Sequence, residues 1–277
     1  MTLVSRAADS DFRTLSPVTA ASLAGLPHGF FTREGGVSEG AFASLNCSLS
    51  SADAGDRVAE NRARAVAALG LPGAALYGAK QVHGARCLVL DEGWDMTAAP
   101  EADAIATRRA GIVIGVVTAD CTPVLFADAR AGVVGAAHAG WRGAVGGVLE
   151  ATIAAMETLG ADRSRIRAAV GPCIRQPSYE VAADLRDAVL ARDADDARFF
   201  ADGARPGRWQ FDLAGYCAAR LTAAGIAAEV TPGDTLAEPA RFFSHRRRTL
   251  NGEGPIGHQL SAIALPAPGQ TMTALPV

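Results

Sequence analysis

The stretch from Ile112 to Leu159 constrains the fold more than any other part of the chain. Ile112–Thr118 and Thr122–Ala127 are apolar and strand-like, Ala129-Arg130-Ala131-Gly132 contains a turn, and Val133–Ala137 reads as the returning strand. Gly140-Trp141-Arg142-Gly143 then opens a helix expected to run to Leu159, where Gly160 stops it. Elsewhere His28–Arg33, the segments near Ala75–Val82 and Arg86–Leu90, Ile166–Val170 and Gln259–Leu265 read as strands. Asp53–Leu69, Val181–Ala191 and Asp212–Ala224 read as helices, the last with Asp212 as its N-cap. Strand hairpins mixed with helices predict an α/β (α+β mixed) chain built in layers, rather than a regular βαβ repeat. No strand runs into G-x-G-x-x-G or G-x-x-x-x-G-K-[ST], so dinucleotide and P-loop readings are weak. One domain over residues 1–277 is the simplest organisation.

Composition excludes several classes of function. With 277 residues, 49% of them hydrophobic, the chain can bury one large core or two modest ones. A formal net charge of -3 and 20% charged residues give no basic excess, which argues against a nucleic-acid-binding surface. The longest apolar stretches, around Gly111–Thr118 and Val133–Ala139, fall well short of the ~20 residues of a membrane-spanning helix. Arg6, Asp9, Asp11 and Arg13 stand where a secretory leader would have its apolar segment. Cys47, Cys87, Cys121, Cys173 and Cys217 are odd in number and scattered, with no C-x-x-C pair. The expectation is a cytoplasmic protein whose cysteines are core residues, a ligand or a nucleophile.

The hairpin also carries the chemistry. If Ala127 pairs with Gly132, Cys121 falls directly opposite His138. Opposed residues share a face with Cβ atoms ~4.5–5.5 Å apart, which suits two side chains converging on one ion. A one-residue slip would put them on opposite faces. His83, in Lys80-Gln81-Val82-His83-Gly84, is the third candidate ligand. One thiolate and two imidazoles suit zinc and also accept copper, and three protein ligands leave a fourth position open, as in catalytic zinc sites. His28, His245 and His258 are less persuasive ligands. Gly140-Trp141-Arg142-Gly143 offers a helix N-terminus that either holds an anion or is simply capped. Arg33, Arg62 and Arg246–Arg248 are further anion-binding candidates.

At these residues the chain resembles the YfiH family, the laccase-domain or "multicopper polyphenol oxidoreductase" proteins, understood as purine nucleoside phosphorylases. The likeness runs through Gly29-Phe30-Phe31-Thr32-Arg33, Ser44-Leu45-Asn46, Glu60-Asn61-Arg62 and Gln81-Val82-His83-Gly84. It continues in Ala102-Asp103-Ala104, Thr118-Ala119-Asp120-Cys121 and Ala137-His138-Ala139-Gly140-Trp141-Arg142-Gly143, then in Gly171-Pro172 and Phe242-Phe243-Ser244. The resemblance implies a layered sandwich of mixed β-sheets with flanking helices, comparable to a class of cysteine hydrolases. It implies His83, Cys121 and His138 as metal ligands. It also implies phosphorolysis of adenosine, inosine and methylthioadenosine, and deamination of adenosine. Three departures stand out. His245 replaces a tyrosine, Thr235-Leu236 replaces Cys-Thr, and Ile256-Gly257-His258 replaces Thr-Gly-Arg after the insert Thr249–Pro255.

The sequence therefore predicts a zinc enzyme, with copper as the other metal, acting on a purine nucleoside and phosphate as a monomer or small homo-oligomer. Arg33, Asn46, Arg62, Arg142 and Arg246 are the candidates for holding substrate and phosphate. Asp120, beside Cys121, is either a proton carrier or an orienting group. The alternatives are a cysteine hydrolase or transferase with Cys121 as nucleophile and His138 as base, a laccase-like copper oxidase, and a non-enzymatic metal or nucleoside sensor. Five histidines are few for a true multicopper site.

Overall fold

The computed structural model describes residues 15–266, so the charged N-terminal positions Arg6, Asp9, Asp11 and Arg13 lie outside the described residues. In chain order the strands are β1 (His28–Phe30), β2 (Leu76–Tyr77), β3 (Cys87–Val89), β4 (Ala104–Thr107), β5 (Val113–Thr118), β6 (Thr122–Asp128) and β7 (Val133–Ala139). They continue with β8 (Arg167–Val170), β9 (Glu180–Val181), β10 (Phe200–Asp202), β11 (Trp209–Phe211), β12 (Ala227–Val230) and β13 (Gln259–Ala264). The helices are α1 (Gly55–Ala68), α2 (Trp141–Gly146), α3 (Val148–Thr158), α4 (Ala183–Arg192), α5 (Leu213–Ala223) and α6 (His245–Asn251).

A six-stranded sheet runs β12-β8-β6-β7-β4-β3, a four-stranded sheet runs β1-β13-β5-β2, and β10-β11-β9 form a small third sheet. Side-chain alternation sorts the layers. Along β6, Val124 and Phe126 join the core shared with α3 and α5, while Leu125 and Ala127 pack toward Ile114, Val116 and Ile263 of the four-stranded sheet. On the far face of that sheet, Val113, Leu260 and Ala262 pack on Ala65 and Val66 of α1. The order is therefore α1, four-stranded sheet, six-stranded sheet, then α3 and α5. This is the mixed, layered α/β architecture that the element pattern predicts. Because β6 and β7 are buried on both faces, they read as continuous apolar runs. Each fully buried side chain such as Phe126 contributes about 1.5–3 kcal/mol.

Several boundaries differ from the sequence reading. The strand expected near Ala75–Val82 is only Leu76–Tyr77. Beyond it the Gln81 side chain stands in for a neighbouring strand: its Nε2 donates to Val117 O (2.8 Å) and its Oε1 accepts from Val117 N (2.9 Å). The helix expected from Gly140 to Leu159 breaks at Gly147, whose φ of 96° is left-handed, so α2 and α3 are separate. Asp212 does cap α5, accepting from Gly215 N. Helix α6 and the short strands β4, β9, β10, β11 and β12 are absent from the sequence reading, and the helix expected from Val181 begins at Ala183. Among the described residues no helix is long and apolar enough to cross a membrane.

The hairpin register is also shifted. Asp128 pairs with Val133 and Thr122 with Ala139, so His138 stands opposite Pro123 rather than Cys121. The loop is the four residues Ala129–Gly132. Asp128 Oδ1 accepts from Arg130 N and Ala131 N, and Gly132 supplies the left-handed residue that closes it (φ 64°). The displacement is two residues, one full pleat. Cys121 therefore keeps the face expected of it, level with the end of the ladder.

Candidate metal centre

His138 follows Val134 and Ala136 on the face of β7 turned toward the four-stranded sheet, and Cys121 continues the same face of β6 just before its first residue. His83 comes from the loop after β2. The three candidate ligand atoms lie within 4.8 Å of one another, and Cys121 Sγ is 3.9 Å from His83 Nε2. The two imidazoles meet edge to face, ring centroids 4.8 Å apart at 81°. His138 is buried, Cys121 half-buried and His83 exposed, so the cluster opens outward.

Asp103 holds this arrangement; the sequence places it in the Ala102-Asp103-Ala104 motif but gives it no role. It directly precedes β4 and lies opposite His138, whose backbone N–H donates to Asp103 O (2.7 Å). Its fully buried carboxylate accepts from His138 Nδ1 (2.8 Å) and from the backbone N–H groups of Val82 (3.2 Å), His83 (2.9 Å) and Gly84 (2.7 Å). One side chain thus fixes the tautomer of one imidazole and the loop that carries the other. The signal for it was an aspartate set within the apolar run Ala102-Asp103-Ala104-Ile105-Ala106.

Backbone strain and close approach mark the same place. His83 (φ 59°) and Asp120 (φ 90°) are the positive-φ residues other than glycine among those described. Each such conformation costs on the order of 1 kcal/mol, which the surrounding bonds must outweigh. A Cβ on Gly140 would lie 3.0 Å from Cys121 Sγ and 3.0 Å from His83 Cδ2, so glycine there keeps the space between the ligands free. A Cβ on Gly143 would lie 2.8 Å from Gly84 O, where α2 presses on the His83 loop.

The electrostatics suit a metal. Burial raises the Cys121 thiol, but the charge and hydrogen bond of His138, with those of His83, outweigh it and hold the thiol below its ordinary value. Burial likewise lowers His138, and the charge of Cys121 and the hydrogen bond to Asp103 outweigh that and raise it. Metal ligation takes thiolate and neutral imidazole, so an ion entering here would displace the proton that His138 shares with Cys121. Ligands on a tetrahedral zinc stand about 3.5 Å apart, so a small inward movement would seat an ion. The donor set and the spacing both fit one.

The three residues form part of the wall of a cavity of about 920 Å³. Asp120, Arg62 and Arg246 also line it, as do His245 and His258. The Asp120 carboxylate accepts from Thr235 Oγ1 (2.6 Å), Ser244 Oγ (3.0 Å) and Arg246 N (2.6 Å), which ties the start of α6 to the turn before β6. Arg62 donates to Cys47 O (3.1 Å) and Leu76 O (3.2 Å), and Arg246 donates to Glu180 O (2.7 Å). The other proposed substrate residues stand apart from this cavity. Arg33 donates to Ala43 O (2.7 Å) and lines a smaller cavity beside Phe243. Asn46 is spent on Ser51 and Asp53 of its own loop and on the distant His258 backbone N–H. Arg142 is exposed and lies over the Trp141 ring (4.3 Å), and α2, six residues long, is too short to act as an anion-binding dipole.

Comparison with known proteins places the chain in context. Residues 27–266 match the family model described as multi-copper polyphenol oxidoreductase laccase. A protein of Deinococcus radiodurans named purine nucleoside phosphorylase is 41% identical over 92% of this chain and 96% of its own length. The solved structure of YfiH from Bacillus licheniformis superposes with a TM-score of 0.79 at 30% identity, covering 86% of this chain and 92% of that one. YlmD from Geobacillus stearothermophilus gives a TM-score of 0.80 at 32% identity, covering 92% and 97%.

Proposed function

The chain belongs to the multi-copper polyphenol oxidoreductase laccase family, and from that membership we propose that it is a zinc-dependent purine nucleoside phosphorylase acting on adenosine, inosine and methylthioadenosine. The observation that carries this reading is the His83, Cys121 and His138 cluster on the wall of a cavity of about 920 Å³. That is within the range of small-molecule sites. The free state of all five cysteines is in keeping with a cytoplasmic enzyme.

In phosphorolysis, phosphate oxygen attacks the anomeric carbon of the ribose while the purine leaves with its bonding electrons. His83, Cys121 and His138 would hold zinc, which would supply a Lewis acid there. Asp103 accepts a hydrogen bond from His138 Nδ1–H, which would leave Nε2 as the nitrogen available to the metal. Arg62 and Arg246 place positive charge along the cavity for the phosphate, each guanidinium oriented by the backbone carbonyls it already holds. Asp120, with three donors on its carboxylate, serves as an orienting group for α6 rather than as a proton carrier. Adenosine deamination is the second reaction assigned to the same site.

The test is incubation of zinc-loaded protein with inosine or adenosine. Hypoxanthine or adenine formed only with phosphate, alongside ribose 1-phosphate, is the expected product set, and ammonia from adenosine reports deamination. No product with zinc or copper would remove the reading. The lowered Cys121 thiol beside two histidines also favours a nucleophilic cysteine. Protection of Cys121 from alkylation by one equivalent of zinc argues against that second reading. Copper oxidation has less support, since the described residues assemble one His/Cys cluster, where multicopper chemistry needs several.

A further inference from the structure

Tyr179 brings an unpaired hydroxyl to the wall of this cavity, beside Arg246. The residue is half-buried, follows a short 3-10 turn, Gln176–Ser178, and immediately precedes β9. Its N–H donates to Gln176 O (3.2 Å) and its carbonyl accepts from Phe211 N (3.0 Å), so its backbone is fixed on both sides. The ring leans on Phe211, centroids 6.1 Å apart at 46°. Among the described residues the Tyr179 hydroxyl has no hydrogen-bond partner. The Tyr216 hydroxyl is unpaired too, but that atom is sealed in the core, whereas the Tyr179 hydroxyl keeps access to solvent. A tyrosine hydroxyl set in a largely buried site usually finds a partner, and a bound ligand can supply one here.

Asp120, the neighbour of Cys121 in the chain, ties this corner to the candidate metal centre. Its carbonyl accepts from Ile174 N (3.0 Å), in the segment that leads to Tyr179, and its carboxylate accepts from Arg246 N (2.6 Å). Arg246 Nη1 donates to Glu180 O (2.7 Å), the residue after Tyr179, and the guanidinium carbon lies 5.3 Å from the centroid of the Tyr179 ring. A permanent cation and a phenol thus stand side by side. Burial, and after it the charge of Cys121, raise the Tyr179 phenol above its ordinary value, so it stays protonated and can donate. An anion drawn to Arg246 meets that hydroxyl as its next donor.

We propose that Tyr179 Oη donates a hydrogen bond to the phosphate held by Arg246, and so is a phosphate-recognition residue of the cavity. The inference rests on the phosphorylase reading above. It adds a neutral donor to the charge that Arg246 supplies, and a phosphate has oxygens for both.

The test is calorimetric binding of inorganic phosphate and of inosine, with chelator competition for zinc, on zinc-loaded wild type and Tyr179→Phe. That substitution removes the hydroxyl and keeps the ring against Arg246 and Phe211. Phosphate is expected to weaken about tenfold, with inosine and zinc each within about twofold. Tyr179→Leu, which also removes the ring beside Arg246, should weaken phosphate further. Tyr179→Phe that binds phosphate as wild type does, or that loses inosine instead, overturns the proposal and leaves the phosphorylase reading intact. Equal loss of phosphate, inosine and zinc would report a structural role and likewise overturn it. Wild type that binds no phosphate overturns both.

Discussion

A buried aspartate organises each of two walls of the cavity, and the two differ in what they hold. Asp103 gathers one imidazole and three consecutive backbone N–H groups, all of them parts of the candidate metal centre. Asp120 gathers two hydroxyls and one backbone N–H from the C-terminal segment, Thr235, Ser244 and Arg246. The first wall joins the ends of strands paired in one sheet to the His83 loop, which the Asp103 carboxylate holds to them. The second is a seven-residue helix, α6, whose attachment depends on long-range side-chain bonds. Carboxylates of similar burial can therefore serve different ends: one sets ligand geometry, the other closes the cavity.

Substitutions can separate these roles. Cys121→Ala should have the largest effect on metal affinity, more than about 100-fold, because it removes the only thiolate of the cluster. Chelator competition measures it. Asp103→Asn should come next, weakening zinc about 10–100-fold and destabilising the fold by about 1–3 kcal/mol, read by the same competition and by denaturant unfolding. Gly140→Ala should cost about five- to tenfold in zinc affinity, since its Cβ would crowd Sγ and His83 at 3.0 Å. Asp120→Asn should change zinc affinity by less than about threefold while raising hydrogen exchange across His245–Asn251 at least tenfold. If Asp120→Asn cost as much zinc affinity as Asp103→Asn, the division between the two walls would fail.

The same contrast explains what the sequence made legible. Strands β6 and β7 are long apolar runs, so their existence, their turn and the face shared by Cys121 and His138 could be read directly. The register was wrong by two residues, yet the period of two returned both side chains to the same face. Asp103 escaped because β4 has four residues, too few to show an alternation, and because its partners are distant in sequence. Helix α6 escaped for a related reason: His245-Arg246-Arg247-Arg248 has no apolar period, and what fixes the helix is its Ser244 cap and the Asp120 carboxylate. Gly146-Gly147 did carry a local signal for the break between α2 and α3, which the helical pattern on either side obscured. Of the five substrate candidates, Arg62 and Arg246 reach the cavity wall, whereas Arg33, Asn46 and Arg142 are engaged elsewhere.

The central claim is that His83, Cys121 and His138 bind one metal ion together. X-ray absorption at the zinc edge of protein loaded with one equivalent of zinc tests it most directly. The expected spectrum has one sulfur near ~2.3 Å and nitrogen near ~2.0–2.1 Å, with the sulfur contribution lost in Cys121→Ala. A zinc shell without sulfur, or one unchanged by that substitution, would contradict the account.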